Sequence, residues 1–174
     1  MRGTWLLVAL PLLLTAFSVA RPQPLPPPTL PPTFDVAIAE QLARELAREY
    51  PDRSPGSPGG LGAADWVARQ LQLYDFRPQV ERFEARIPGR GTVALQNLVT
   101  VVPGASRRTI VVTAHRDNSG EEGSPNDNAS GTAALIELAR PYAPVVGARL
   151  VQARPTHTLV FVSTDGGAYG ALGA

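Results

Sequence analysis

Residues 113–138 constrain the fold of this chain more than any other stretch of its sequence. They begin near the end of the apolar run 109–114, cross a polar, glycine-containing loop and then enter a helical pattern. The stretch therefore predicts a strand, a loop and a helix in direct succession. His115 and Asp117 fall at the end of the strand, and Asp127 falls in the loop before the helix.

These three side chains, one imidazole and two carboxylates, are ligand types that a divalent transition metal takes in proteins. Because side chains alternate along a strand, His115 and Asp117 lie on the same face if the strand persists that far. Asp117 then accepts a hydrogen bond from the imidazole and fixes its tautomer. The sequence contains no cysteine, so disulfides are excluded and any metal site is built from histidine and carboxylates.

The loop residues also have a structural interpretation. Asn, Asp and Ser are the residues that satisfy exposed N–H groups at the start of a helix. Ser130 or Asn128 can cap the helix while Asp127 points into a cleft, so the two interpretations can hold together. Glu121 and Glu122 lie earlier in the same loop, and we interpret them as solvated carboxylates.

The two motifs, His115-x-Asp117 and Asp-Asn-x-Ser-Gly at residues 127–131, closely resemble those of the M28 family of zinc-dependent aminopeptidases. The resemblance implies that His115 binds one zinc ion, that Asp127 bridges two zinc ions, and that Asp117 orients His115. It also implies a cis peptide bond between Asp127 and Asn128, which turns the bridging carboxylate toward both metals.

The match to the family is weakest where its chemistry needs two adjacent glutamates, one as a general base and one as a zinc ligand. Gly167 and Ala168 fall at those two positions in this sequence. Asp165 is the nearest carboxylate, two residues earlier, and it either replaces a glutamate through a shifted loop or is a turn residue in Asp-Gly-Gly. We retain Asp165, with Asp117, as a catalytic candidate. His157 precedes the following strand, at the wrong end for the cleft, and is interpreted as structural.

Periodicity and apolar patterning predict the secondary structure of the remaining chain. Helices are predicted over residues 34–50, 63–74 and 129–142, and strands over residues 79–85, 94–102, 109–114 and 158–162. The last strand is a continuous apolar run that predicts burial on both faces, and Val36, Leu135 and Leu138 are expected to face the core. Alternating helices and strands predict an α/β fold, a mixed sheet with helices on both faces. M28 proteins show the same order, so the resemblance implies a zinc-aminopeptidase-like fold.

The amino terminus has the pattern of a membrane-directing segment. Residues 1–20 combine an early positive charge, an apolar run and a small-residue triplet that resembles a cleavage site. The run is shorter than the ~20 residues of a spanning helix, so the segment is either a cleaved signal peptide or a membrane anchor. Residues 21–33 are proline-rich and predict an extended linker. We therefore expect an extracytoplasmic protein, secreted or held at the membrane by its amino-terminal segment.

Residues 34–174 are then the amino-terminal part of an M28-like peptidase domain. The family supplies two further ligands, an acidic residue and a histidine, from later sequence, so we expect the domain to be incomplete at its C-terminus. A net charge of +1 gives no reason to expect nucleic acid as a partner. The expected partner is a peptide substrate.

The resulting hypothesis is a metal-dependent exopeptidase that removes residues from peptide N-termini outside the cytoplasm with a metal-activated water. Two zinc ions are expected in the complete domain, and the 174-residue chain alone is expected to be an inactive fragment. The alternative is an M28-like domain that has lost catalysis and serves as an extracytoplasmic binding module. Gly167 and Ala168 are the residues that favour this alternative.

Overall fold

The computed structural model describes residues 34–120, 125–144 and 155–174. Within these ranges the elements are, in chain order, α1 (Val36–Glu49), α2 (Pro58–Gln72), β1 (Gln79–Ile87), β2 (Gly91–Val102), β3 (Ser106–His115), α3 (Ser130–Ala139) and β4 (His157–Thr164). Short turns of other helix types occur at Pro125–Ala129, Arg140–Tyr142 and Gly167–Tyr169. The predicted export segment, the proline-rich linker, Glu121 and Glu122 lie outside the described residues.

Capping side chains set the starts of the first two helices. Asp35 Oδ1 accepts a hydrogen bond from the backbone N–H of Ala37 at 2.9 Å, and α1 begins after it. Ser57 Oγ accepts from the backbone N–H of Gly60 at 2.9 Å, so α2 begins at Pro58. The predicted start at residue 63 was wrong, since the proline and glycines at residues 58–60, which are typical of a turn, form the first turn of the helix. Proline is tolerated in the first helical turn, where its missing N–H has no helical partner.

The strands of the described ranges form one sheet in the order β1-β2-β4-β3. β2 pairs antiparallel with both β1 and β4, whereas β3 and β4 are parallel, so the predicted α/β fold with a mixed sheet is confirmed. The parallel pairing brings the carboxyl ends of β3 and β4 to one edge, with His115 in register with Thr164. Ligand sites of open α/β sheets lie at such strand ends.

One apolar cluster joins the helices to a single face of the sheet. Its larger members are Leu42, Leu46, Trp66, Val67, Leu71, Leu98, Leu135, Ile136, Leu159 and Phe161. Leu98, Leu159 and Phe161 lie on the same side of their strands by register, so the three described helices cover that side. On the opposite side the segment after β4 covers β2, where Asn97 Nδ2 donates to the carbonyl of Gly173 at 2.8 Å.

Burial differs from the prediction at a few apolar positions. Val36 is 70% exposed and Leu138 is 43% exposed, so neither faces the core as predicted. Val36 is the first residue of α1, and the inward stripe of α3 runs through Ile136 instead of Leu138. Val160 and Val162 are only half-buried, so β4 is fully buried on one face and not on both. Among the residues that the structure describes, no helix is both long enough and apolar enough to cross a membrane.

Candidate metal centre

The candidate site lies where the ends of β3 and β4 meet the start of α3. His115 is the last residue of β3, and Thr132 is buried in the first turn of α3. Thr132 Oγ1 lies 3.2 Å from the carbonyl oxygen of His115 and 3.0 Å from that of Asn128. This one hydroxyl therefore ties the strand end to the loop that carries Asp127.

The imidazole of His115 has a defined orientation. Its Nδ1 lies 3.1 Å from the backbone carbonyl oxygen of Asp117 and 3.5 Å from Asp117 Oδ1. Both atoms are acceptors, so in the neutral ring the hydrogen sits on Nδ1 and Nε2 keeps a free lone pair. The hydrogen bond to Asp117 raises the pKa of His115 above its ordinary value, and partial burial opposes this rise.

Asp117 is hydrogen-bonded to the turn that follows β4. Its carboxylate is buried and accepts the backbone N–H of Gly167 at 2.8 Å and that of Ala168 at 2.9 Å. Burial raises the pKa of Asp117, but the bonds from His115, Ala168 and Gly167 outweigh burial, and the pKa lies below its ordinary value. Asp117 is thus a fixed anion against the Nδ1 side of the His115 ring.

Asp127 lies on the other side of the ring. Its Oδ1 is 3.5 Å from His115 Nε2, and the two side chains are 55% and 27% exposed. The Asp127–Asn128 peptide bond is cis, as the M28 resemblance implies. Asn128 Oδ1 accepts the backbone N–H of Gly131 at 3.0 Å and so takes the capping position while Asp127 faces His115. The structure therefore brings His115, Asp117 and Asp127 together.

The spacing of His115 and Asp127 suits a shared metal ion. At 3.5 Å the two atoms are too far apart for a good hydrogen bond. A neutral imidazole nitrogen and a carboxylate oxygen also repel each other unless a proton or a cation lies between them. Two ligands ~2.1 Å from a tetrahedral zinc ion are about 3.4 Å apart. No group of three or more His, Cys, Asp or Glu side chains that could hold a metal occurs in the described ranges, so the pair is a partial shell.

Gly167 packs directly against the imidazole. A methyl group added at this position would lie 2.2 Å from His115 Cβ and Cγ, which is far inside van der Waals contact. The main chain at Gly167 and Ala168 therefore contacts His115 and Asp117, at the positions where the M28 resemblance implies two glutamates. Among the residues that the structure describes, this part of the site is made of backbone N–H groups and no carboxylate.

Asp165 lies in a different environment from the other predicted site residues. It is buried, and its Oδ2 is 2.9 Å from an amino group of the Arg116 guanidinium. Burial raises the pKa of Asp165, while Arg116 opposes the rise. Its backbone N–H donates to Asn97 Oδ1 at 3.1 Å. Asp165 is thus placed in a buried ion pair, and its contacts do not include His115 or Asp127.

Sequence reasoning missed two buried polar residues, Arg116 and Asn118. Arg116 donates to the carbonyl of Ser163 at 3.0 Å, and Asn118 Nδ2 donates to the carbonyl of Pro51 at 2.8 Å. A signal was present, because residues that alternate with His115 and Asp117 along an extended chain must point the other way, into the protein. Arg53, for which no role at the site was predicted, is also fully buried.

The candidate site lies in a region that matches a known protein family. Residues 97–174, which include every predicted site residue, match the family model Peptidase family M28. A probable zinc metalloprotease of Leptosphaeria maculans is 30% identical over 136 residues, which are 66% of this chain and 29% of that protein. A probable leucine aminopeptidase of Trichophyton verrucosum is 30% identical over 131 residues, 68% of this chain and 32% of that protein. The chain thus spans about a third of the length of these relatives.

Solved structures show the same fold at lower identity. A glutaminyl cyclase of Porphyromonas gingivalis superposes with a TM-score of 0.66 at 18% identity, covering 82% of this chain and 49% of that one. A leucine aminopeptidase precursor of Bacteroides thetaiotaomicron gives a TM-score of 0.62 at 20% identity, covering 80% and 50%. These likenesses confirm the zinc-aminopeptidase-like fold. The sequence relatives are named as a zinc metalloprotease and a leucine aminopeptidase.

Proposed function

Because the M28 resemblance is confirmed over residues 97–174, we propose that this chain provides part of the metal site of an aminopeptidase-type peptidase. His115 and Asp127 are the metal ligands in this proposal, and Asp117 orients His115. The observation that carries it is the 3.5 Å separation of His115 Nε2 and Asp127 Oδ1, which suits two ligands of one ion. The relatives' names favour zinc as the metal and a peptide as the substrate.

The side chains of the site have separable tasks. When bound, zinc supplies a water of lowered pKa for attack on a peptide carbonyl. Asp117 keeps the hydrogen on Nδ1 of His115, so the Nε2 lone pair stays available. Asp127 has a side chain that is 55% exposed, so its carboxylate is accessible, and the family resemblance implies that it would hold two zinc ions. Asp165 is assigned to the scaffold and not to the general base, because its carboxylate is paired with Arg116.

A second function is favoured by one observation at the same site. The family's glutamate positions carry Gly167 and Ala168, and the main chain there donates its N–H groups to Asp117. A site without these carboxylates can hold a metal and a peptide terminus without hydrolysing the peptide. The second candidate is therefore an M28-like module that binds peptide or metal and has no catalytic turnover.

Calorimetric zinc titration of the full chain tests the shared premise of both candidates. We expect zinc binding that His115→Ala and Asp127→Ala each weaken at least about tenfold. His157→Ala is the matched control, because His157 is the only other histidine in the sequence and starts β4 at its far end. Binding that survives both site substitutions would refute the assignment. Turnover of an aminoacyl-anilide by the zinc-loaded chain would favour the peptidase over the module.

Export from the cytoplasm is part of the same proposal. The support is the short apolar run in residues 1–20, followed by the proline-rich residues 21–33. Residues 1–33 fused to a reporter that is active only after export should give reporter activity. A fusion that replaces the apolar run with polar residues is the control, and full cytoplasmic retention of the native fusion would refute export.

A further inference from the structure

Arg53 is fully buried, and its guanidinium contacts the main chain on both sides of the candidate metal centre. Its Nε donates to the carbonyl of Arg116 at 3.0 Å. One of its terminal nitrogens lies 3.3 Å from the carbonyl of Asp127, and the other donates to the carbonyl of Tyr50 at 2.7 Å. A planar group with five N–H donors in a rigid fork is suited to bonding several carbonyls at once.

The two carbonyls near the site belong to the segments that carry the ligands. Arg116 lies between His115 and Asp117 in the chain, so a hydrogen bond to its carbonyl holds the main chain of the first motif. The carbonyl of Asp127 belongs to the residue that supplies the second ligand. One side chain therefore links the main chain of both motifs, although they are 10 or more residues apart in the sequence.

The backbone of Arg53 is fixed to the same strand end. Its N–H donates to Asn118 Oδ1 at 2.9 Å, and its carbonyl accepts the N–H of Asn118 at 3.4 Å. Asn118 Oδ1 also accepts the N–H of Gly120 at 3.1 Å, which holds the start of the loop that leads toward Asp127. The backbone of Arg53 is therefore hydrogen-bonded to the segment 116–120 that follows β3.

The charge of Arg53 is matched to its position. Burial lowers the pKa of Arg53, and the nearby carboxylates of Asp127 and Asp117 oppose this decrease. Arginine stays protonated in proteins, so the guanidinium is a permanent cation beneath two site carboxylates. It places a positive charge near both side chains without occupying the open side of the site, where Asp127 is exposed.

We propose that Arg53 is a positioning residue that sets the separation of His115 and Asp127 by bonding the main chain next to each ligand. The inference rests on the proposed function of the pair as metal ligands. The bonds that carry this role join Arg53 to the carbonyls of Arg116 and Asp127, so Arg53 acts on the two ligands through their main chain. A lysine at this position keeps the charge but carries its donors on one nitrogen, so it cannot reproduce the bonds that Arg53 makes from two separate nitrogens of a planar group.

Imidazole NMR of the metal-free, ¹⁵N-labelled full chain tests the proposal without relying on activity. The sequence has two histidines, so His157 is an internal reference in the same spectrum as His115. We expect Arg53→Lys to shift the His115 ring resonances and leave those of His157 unchanged. Zinc affinity should fall at least about tenfold, as for other residues that support metal ligands.

The matched control is Glu137→Gln. Glu137 is also fully buried, but its partners are Arg140 and the backbone N–H of Asp35, away from the site. Glu137→Gln should lower stability while leaving His115 and zinc affinity unchanged. If Arg53→Lys behaves like Glu137→Gln, with stability lost and His115 unmoved, the positioning role is wrong and Arg53 is merely structural.

A measurement on the wild-type chain covers the case in which Arg53→Lys does not fold. The buried Nε–H of Arg53 should shift on zinc addition, together with His115, because its acceptor lies between the two site residues of the first motif. A shift of His115 without one of Arg53 overturns the inference and leaves the proposed function intact. If neither shifts, the metal assignment fails. The positioning role is then decided by the His115 resonances of metal-free Arg53→Lys. If that variant does not fold, those of metal-free Asn118→Ala decide it.

Discussion

His115 and Arg116 are neighbours at the end of β3, but each faces a carboxylate in a different environment. His115 faces outward to Asp127 across 3.5 Å, with side chains 27% and 55% exposed. Arg116 faces inward to Asp165 across 2.9 Å, with side chains 1% and 6% exposed. The first pair is too open and too widely spaced to hold itself together, whereas the second is a closed buried ion pair. An exposed, loosely spaced pair is suited to a ligand, and a tight buried pair is suited to holding the scaffold.

The buried pair should dominate stability, and Asp165→Asn is expected to give the largest effect. The substitution leaves the charge of Arg116 buried without its counter-charge, which costs about 3–5 kcal/mol of unfolding free energy. Asp127→Asn is the matched change in the open pair and should stay within about 0.5 kcal/mol in metal-free protein. Urea unfolding measures both. Equal, small effects would contradict the contrast and return Asp165 to the list of catalytic candidates.

Gly167→Ala tests the close packing of Gly167 against the ring of His115. The added methyl group would lie 2.2 Å from the His115 ring, so ring or turn must move. We expect a loss of about 1–3 kcal/mol on unfolding, as for other overpacked sites, together with shifted His115 resonances. Gly89→Ala is the control, since its methyl group meets nothing within 4 Å and only its φ of +76° is unfavourable. Unmoved His115 resonances in Gly167→Ala would show that the turn does not press on the ring.

Asp117→Asn tests whether the buried carboxylate beside His115 Nδ1 supports metal binding by His115 and Asp127. Gly167 and Ala168 donate to different oxygens of Asp117, and asparagine replaces one of these oxygens with an NH2 donor, so one bond is lost. Asparagine also carries no charge toward His115. Zinc affinity is expected to fall about tenfold, which calorimetry measures. Asn97→Asp, which changes a buried amide between β2 and the last turn, serves as a control for general disturbance. Undiminished zinc affinity in Asp117→Asn would show that His115 needs no such support.

The smallest effect is expected at Asp52, a carboxylate that Ser54 bonds through its side chain and its backbone N–H. Its Oδ1 accepts the N–H of Ser54 at 2.9 Å, and the bonds with Ser54 lower its pKa. A lowered folded-state pKa means that the contribution to stability is present above the unfolded pKa and is lost as pH falls through the folded one. The stability difference between wild type and Asp52→Asn should therefore shrink below about pH 4. A difference that grows with acidity would contradict the direction of the shift.

Much of the site was predictable because its ligands come from one local unit. The apolar run before His115 predicted β3, the alternation along it placed Asp117 near His115, and the Asp-Asn-x-Ser-Gly turn placed Asp127 before α3. These relations depend on backbone geometry over a few residues. Asp165 was harder to place, because its proximity to Arg116 depends on parallel pairing of β3 with β4, and no local pattern encodes that register.

The sequence by itself determined the mixed α/β sheet, the strand, loop and helix around His115, and the residue types available for a metal. Only the tertiary structure decided that Gly167 packs on the His115 ring, that Asp165 pairs with Arg116, and that Arg53 bonds the main chain of both motifs. The physical reason is the range of the interactions. Periodicity and capping act within a few residues, whereas these buried contacts join segments 49 to 74 residues apart that meet only when the sheet is assembled.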